Sequence, residues 1–346
     1  MILVARNKIF IKFYFSLILI SSCTDKDYVT SYSFYGSTMG TTYTVVIKSN
    51  DKKPVSIKND IETILAKINQ EMSTYDTDSY ISNFNKDISM KEFQLPRYFS
   101  QVLEKSFYYY DISKGLFDIT VHPLYKLWGF QSKTINVSEP LPSQVLSTLE
   151  FVGMDNLIYN STRKSLQKTN LKTSIDLSAI AKGYAVDVIS DYLIESGYKS
   201  FLIDIGGEIK VSSSDELFWE IGIQKPNITE IGSVSNVIRL RNNAIATSGS
   251  YSNFIDYINT NSKRCHIINP KDGYPVIIED GLIASASVIA NSCIDADAIA
   301  TILMLQSAKD ALNFVNSLEN VEAYLIYIDN EEFKTVQSVG FSRFIN

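Results

Sequence analysis

The stretch Ser174 to Asp187, SIDLSAIAKGYAVD, constrains this chain most, because it must pass from extended to helical backbone within a few residues. Leu171 to Ile175 reads as the end of a strand. From about Ala181 the apolar residues Ala185, Val188, Ile189, Tyr192 and Leu193 recur at helical spacing until Gly197 stops the pattern. A junction of this kind presents unpaired backbone N–H groups and a partial positive charge, and Gly183 lets another group approach the main chain. Lys182 adds a full charge. Asp176 and Lys182, separated by a turn of small residues, can hold a nucleotide: the carboxylate takes sugar or base donors and the ammonium meets a phosphate. The same two residues also suit a helix cap and a solvated first-turn lysine, and the stretch alone does not choose.

A second segment, Asn291 to Thr301 (NSCIDADAIAT), has the helical period of Ile299, Ile302 and Leu303. Asp297 and Thr301, four apart, therefore share one face of a single turn. Both carry hard oxygen atoms. Magnesium takes such ligands, completes its shell with carbonyl oxygens and water, and leaves room for substrate phosphates. By itself the segment is equally a helix whose acidic first turn complements its dipole, with Thr301 bonded back to a carbonyl.

Elsewhere the pattern mixes both periods. Thr42 to Lys48 alternates as a strand, and Ile57, Ile61, Ile64, Leu65, Ile68 and Met72 line one face of a helix. Val102, Leu103, Phe107 and Tyr110 form a helix that Gly115 ends, followed by a short helix of Val145, Leu146 and Leu149 and a hairpin through Asn160 to Arg163. Strands are expected at Phe201 to Ile205, Phe218 to Ile223, Val234 to Leu240, Ala244 to Thr247, Leu282 to Ile289, Ala323 to Ile328 and Phe333 to Gln337, and a helix through Ala311 to Leu318. The sum is α+β: mostly antiparallel sheets with packed helices, in two intimate lobes with a nucleotide cleft between them.

The amino terminus has its own logic. Arg6, Lys8 and Lys12 precede the apolar run Phe13 to Ile20, which reads as an export signal, and Ile20-Ser21-Ser22-Cys23 has the form of a bacterial lipobox. Residues 1–22 are then the signal peptide, Cys23 the lipid-bearing first residue, 23–30 a tether and 31–346 the catalytic domain. The expectation is an exported protein anchored by lipid to a bacterial membrane, most simply on the periplasmic side of the inner membrane. Loss of residues 1–22 removes three cations and moves the formal charge from −6 to −9, which argues against nucleic acid as a partner. Cys265 and Cys293 are expected as free thiols, and two histidines with no CxxC are too few ligands for zinc. His122, beside Pro123 among core-type residues, reads as a hydrogen-bonded structural histidine. Ser248-Gly249-Ser250 lacks the elbow of a serine hydrolase and reads as cleft wall.

Several segments fall in one order along nearly the whole mature chain: GSTMGTTYTV at Gly36, MSTYDTDSYISNFN, GLFDITVHPLYKLWGF, DLSAIAKGYAVD, FLIDIGGEIK, IATSGSY, HIINPKDGYPV and ADAIAT ending at Thr301. Together they resemble the FAD:protein FMN transferase family, also called the ApbE family. The resemblance implies that FAD is the substrate and that its FMN half is delivered to a Thr or Ser hydroxyl of an acceptor flavoprotein, with AMP released. It implies Mg2+ held by Asp297, Thr301 and the backbone carbonyl of Ala179. FAD would be contacted by Met39, Tyr75, the turn Leu116-Phe117-Asp118, Asp176 and Ile268, with Lys182 on the phosphate side and His266 accepting the hydroxyl's proton. One departure from the family's HxIDP-like pattern is Asn269, where aspartate is usual. Two other activities stay open at this point: a hydrolase that cuts FAD to FMN and AMP with water, and a non-catalytic flavin-binding lipoprotein, which would have no need of a magnesium site.

Overall fold

The computed structural model describes residues 30–50, 56–131, 138–214, 216–226, 233–250, 254–257, 259–260, 262–277, 279–330 and 332–345. The signal segment 1–22, Cys23 and the tether up to residue 29 lie outside the described residues, and β1 already begins at Thr30.

In chain order the elements are β1 (Thr30–Thr38), β2 (Thr41–Ser49), α1 (Ile57–Met72), α2 (Tyr80–Lys86), β3 (Phe93–Gln94), α3 (Arg97–Ile112), α4 (His122–Leu127) and α5 (Pro142–Leu149). Next come β4 (Leu157–Asn160), β5 (Ser165–Lys168), α6 (Ala181–Glu195), β6 (Ser200–Ile205), β7 (Glu208–Ser212), β8 (Trp219–Gln224) and β9 (Val234–Leu240). The chain closes with β10 (Ala244–Gly249), β11 (Phe254–Tyr257), β12 (Ser262–Ile268), β13 (Pro275–Ile277), β14 (Ile283–Ala290), α7 (Cys293–Leu303), α8 (Ala308–Asn316), β15 (Glu322–Asp329) and β16 (Glu332–Gln337).

An eight-stranded sheet in the order β1-β2-β6-β7-β10-β14-β15-β16 forms the centre, and every neighbouring pair is antiparallel. Because side chains alternate across a strand, each run feeds two cores. Tyr43, Val45 and Ile47 of β2, with Phe201, Ile203 and Ile205 of β6, enter the large core shared with α1, α3, α6, α7 and α8. The intervening Leu202, with Ile245 of β10 and Ile289 of β14, enters a second core on the opposite face, under the β8–β9 ribbon and Phe341. Each such buried aliphatic side chain contributes roughly 1.5–3 kcal/mol, and a sheet covered on both faces explains why its strands read as nearly continuous apolar runs. A smaller core joins Leu124 of α4, Trp128 just after it, Val145 of α5, Tyr257 of β11 and Ile268 of β12, beside the three-stranded sheet β11-β12-β13. This is the smaller lobe. Cys265 and Ile267 of β12 pack into the large core, which makes the two lobes contiguous.

One expected strand is absent. Leu171 and Lys172 lie in a turn, and Thr173 to Ile175 join no sheet. The main chain of Ile175 pairs with a side chain instead: its N–H donates to Asn85 Oδ1 at 2.8 Å, and Asn85 Nδ2 donates to its carbonyl at 2.8 Å. An amide side chain thus supplies the donor and acceptor that a neighbouring strand would have given.

Candidate active site

α6 begins at Ala181 as expected, and Gly183 in its first turn is where the two halves of the site meet. The Gly183 N–H donates to Asp297 Oδ2 at 2.9 Å. A Cβ at Gly183 would lie 2.3 Å from the Cys293 carbonyl oxygen and 2.8 Å from the Asp297 Cβ, so only glycine lets α6 and α7 come this close. One turn further along α6, Asp187 accepts the N–H groups of Cys293 (3.0 Å) and Ile294 (2.8 Å) and pairs with Lys210 Nζ at 2.7 Å. A carboxylate of α6 therefore caps the start of α7 and fixes the register of the two helices.

At this junction stands a charge cluster. Lys182 Nζ pairs with Oε1 of Glu208, the first residue of β7, which follows the Gly206-Gly207 turn. Both glycines have positive φ (66° and 107°), a tight reversal that delivers Glu208 into the interior, where it is 2% exposed. Its other oxygen, Oε2, is buried with no hydrogen-bond partner. Burial disfavours the Lys182 ammonium, but the charges of Glu208 and Asp297 outweigh it and hold the pKa above the ordinary lysine range. Burial pushes the Asp297 carboxyl upward, against the pull of Lys182 and the Gly183 N–H. Glu208 is raised as well, by burial and by the neighbouring Asp297.

Two carboxyl groups, both raised by burial, thus stand about one ammonium, and one carboxyl oxygen is left unpaired. That donor set suits a hard cation. Thr301 lies one turn beyond Asp297 on α7, its Oγ1 3.4 Å from Ser248 Oγ, and Ala179 lies in the turn leading into α6. No group of three or more His, Cys, Asp or Glu side chains able to hold a metal occurs among the described residues. A carboxylate, a hydroxyl and a carbonyl would therefore give an open shell of the kind magnesium shares with phosphates, and the residues fit that ion.

Of the second predicted group, the structure brings Asp176 and Tyr75 together. The Asp176 Oδ1 accepts the Ser178 N–H at 2.7 Å and its Oδ2 the Thr74 hydroxyl at 3.3 Å, which places the carboxylate beside Tyr75. Tyr75 is 65% exposed, and an exposed aromatic side chain suits stacking on a planar ligand. Met39 occupies the turn between β1 and β2 at φ 50°, a conformation uncommon for a side-chain-bearing residue. Leu116 to Asp118 forms the expected turn after α3, but the Phe117 ring is buried against Tyr109 and the Asp118 carboxylate caps the Thr120 N–H at 2.7 Å. Ile268 is likewise buried, in the smaller core. What these two segments can offer a ligand is therefore mainly backbone. His266 is half-buried on β12, which belongs to the three-stranded sheet and not to the sheet that carries Glu208. Asn269 performs the turn-forming work of an aspartate, its Oδ1 accepting the Lys271 N–H at 2.9 Å. The Gly273 N–H closes the same turn by donating to the Asn269 carbonyl at 2.8 Å.

Two residues of this region were not singled out for chemistry by the sequence. Glu208 sits in the segment FLIDIGGEIK, where the paired glycines are the only local sign that an acidic side chain is being turned inward. His122 is buried as expected of a structural histidine. Its Nδ1, however, has no hydrogen-bond partner and lies 3.5 Å from Asp176 Oδ2. Cys265 and Cys293 are free and buried. A cavity of about 1060 Å³ lies apart from all the predicted site residues, between α3, α6 and the start of α7, with Tyr98, Tyr184 and Tyr192 among its walls.

The sequence matches the ApbE family over residues 39–325. The chain belongs to the ApbE family. Similar ApbE-family proteins include the FAD:protein FMN transferase of Haemophilus influenzae, 32% identical with 94% of each chain covered. The Vibrio cholerae FAD:protein FMN transferase is 30% identical, with 96% of this chain and 97% of that protein covered. Among solved structures, the flavin transferase ApbE from Vibrio cholerae superimposes with a TM-score of 0.80 at 30% identity, over 92% of this chain and all of that one. The apbe protein from Thermotoga maritima reaches the same TM-score at 23% identity and shares the fold. The α+β architecture of antiparallel sheets and packed helices is thus the ApbE architecture.

Proposed function

We propose that this chain is an FAD:protein FMN transferase that moves the FMN moiety of FAD onto a Thr or Ser hydroxyl of a partner protein. The observation that carries the reading is the Lys182–Glu208–Asp297 cluster at the abutting starts of α6 and α7, in a chain of the ApbE family. The hydroxyl oxygen of the acceptor attacks the FMN phosphorus, a new phosphoester bond forms, and the bond to the AMP oxygen breaks. His266 would accept the hydroxyl's proton, and Lys182 would meet the negative charge of the phosphates. Asp176, Tyr75, Met39 and the backbone of Leu116 to Asp118 and Ile268 would hold FAD. Asp297, Thr301 and the Ala179 carbonyl would hold magnesium, which when bound neutralises pyrophosphate charge and stabilises the departing AMP.

The lipobox at Cys23 supports attachment to a bacterial membrane through lipid on the exported side, where the acceptor would be a membrane redox subunit or another exported flavoprotein. Among the described residues no helix is long and apolar enough to cross a membrane. Cys23→Ser should abolish incorporation of labelled lipid, and normal lipid labelling of that variant would remove the anchor.

Incubation of the purified chain with FAD, magnesium and an acceptor segment bearing an accessible Thr or Ser tests the activity. The expected product is an acceptor that gains the mass of FMN and stays fluorescent after denaturation. An acceptor that gains nothing while FAD is consumed would overturn the transferase reading.

A further inference from the structure

His122 opens α4 immediately after the short turn Ile119–Val121 and is 2% exposed. The main chain holds it against Asp176: the Asp176 N–H donates to the Ile119 carbonyl at 2.8 Å, which ties the aspartate's loop to the turn that carries the histidine. Across that contact His122 Nδ1 faces Asp176 Oδ2 at 3.5 Å, and Nδ1 has no hydrogen-bond partner. Leaving a buried polar atom unpaired is costly, so one aimed at a carboxylate calls for a reason. The carboxylate's other bonds run to the Ser178 N–H and the Thr74 hydroxyl. Burial alone would raise the Asp176 pKa, but His122 and the Ser178 donors outweigh it and hold the carboxyl below its ordinary range.

We propose that His122 is a positioning residue for the nucleotide, donating from Nδ1 to Asp176 Oδ2 and so fixing the carboxylate with its outward lone pairs toward the N–H or O–H donors of a bound base or sugar. This rests on the reading of Asp176 as a flavin-nucleotide contact. The imidazole does not touch the reacting phosphate. Its effect belongs to binding, and it should appear in the affinity for FAD and in KM, with kcat nearly unchanged.

The test is a double-mutant cycle read by quenching of flavin fluorescence on binding, with KM and kcat measured in parallel. His122→Leu should weaken FAD binding about tenfold, the loss of one charge-assisted hydrogen bond. His122→Asn, whose Nδ2 can stand where Nδ1 stood, should restore most of it. In an Asp176→Asn background, His122→Leu should cost less than about twofold, as expected when the pair acts as a unit. Binding of FAD by His122→Leu as tight as the parent's, while Asp176→Asn binds weakly, overturns the role of His122. Failure of asparagine to rescue, or an equal loss in the Asp176→Asn background, also overturns it, because the ring would then act through packing. Should the leucine variant not fold, His122→Ala takes its place in the cycle. If Asp176→Asn itself binds FAD as the parent does, the reading of Asp176 is what has failed.

Discussion

Glu208 and Lys182 lie on different elements, one opening β7 and the other in the first turn of α6, and their side chains meet in an ion pair that also faces Asp297. The pairing holds the ammonium between two carboxylates, away from exclusive contact with Asp297. If Glu208 becomes Gln, Lys182 loses its ion-pair partner and is left to Asp297 and Asp204, so that the lysine competes more strongly with the metal for the Asp297 carboxylate. Glu208→Gln should raise the magnesium concentration for half-maximal turnover severalfold. A magnesium titration of FAD turnover that superimposes on the parent would show that Glu208 does not govern the site.

Gly183→Ala should be among the most damaging single-methyl changes in the chain. The added carbon would press on the Cys293 carbonyl at 2.3 Å, a backbone atom that cannot rotate away, and on the Asp297 Cβ at 2.8 Å. Overpacking of this kind costs about 1–3 kcal/mol, and parting the helices also lengthens the Gly183 N–H bond to Asp297. Thermal unfolding and turnover should both fall, whereas Gly197→Ala, with open space around its Cβ but a φ of 89° that strains an alanine, should lower only the thermal stability and keep turnover intact. Equal activity in Gly183→Ala and the parent would mean that α6 and α7 need not touch there.

How much of this could be seen in the sequence depends on how far apart the deciding residues lie. The alternation of Tyr43, Val45 and Ile47 and the helical spacing of Ile57 to Met72 are local, and the strand and helix they predict are present. Leu171 to Ile175 reads as the end of a strand ahead of the helical pattern that starts near Ala181, but strand identity needs a neighbour, and the neighbour of Ile175 is the Asn85 side chain. The site divides in the same way. Asp297 and Thr301 share a helix face by spacing alone. Glu208 acquires its role only from Lys182, and His122 only from Asp176, contacts that no period of 2 or 3.6 residues encodes.

Asp297→Ala should abolish turnover and leave much of the FAD affinity, because the predicted flavin contacts, Asp176 and Tyr75 among them, lie on segments other than α7. A chelator should reproduce the effect in the parent enzyme. Normal turnover of the variant with magnesium present would remove Asp297 from the metal site.

The two buried thiols predict a pH dependence. Burial pushes Cys265 from 9.0 up to about 11 and raises Cys293 well above its ordinary range. A folded-state pKa above the unfolded one means stability that is fully present below about 9 and is lost as pH rises through about 11. Melting temperature should therefore fall across that window, and less steeply in Cys265→Ala. At a pH of about 8 only about 0.1% of a thiol with such a pKa is thiolate, so a thiol reagent should label both cysteines only after denaturation. Rapid labelling of the native protein would contradict the buried placement.

The last prediction concerns which hydroxyl receives the FMN phosphate. Transfer and hydrolysis share the metal, the phosphate contacts and the leaving AMP, so they differ only in whether a protein hydroxyl or water reaches the phosphorus. A positioned hydroxyl prevails through its effective concentration, ~10⁵ M or more when well oriented. The enzyme alone should therefore cleave FAD slowly, and an acceptor segment with an accessible Thr should be modified much faster. His266, half-buried on β12, lies on a different sheet from Glu208, so its removal leaves the Lys182 cluster in place. His266→Ala should accordingly depress transfer by a factor of about 10²–10⁴, the range of a lost general base, with a much smaller change in FAD affinity. Parallel loss of FAD binding and transfer in that variant would make His266 a binding residue instead.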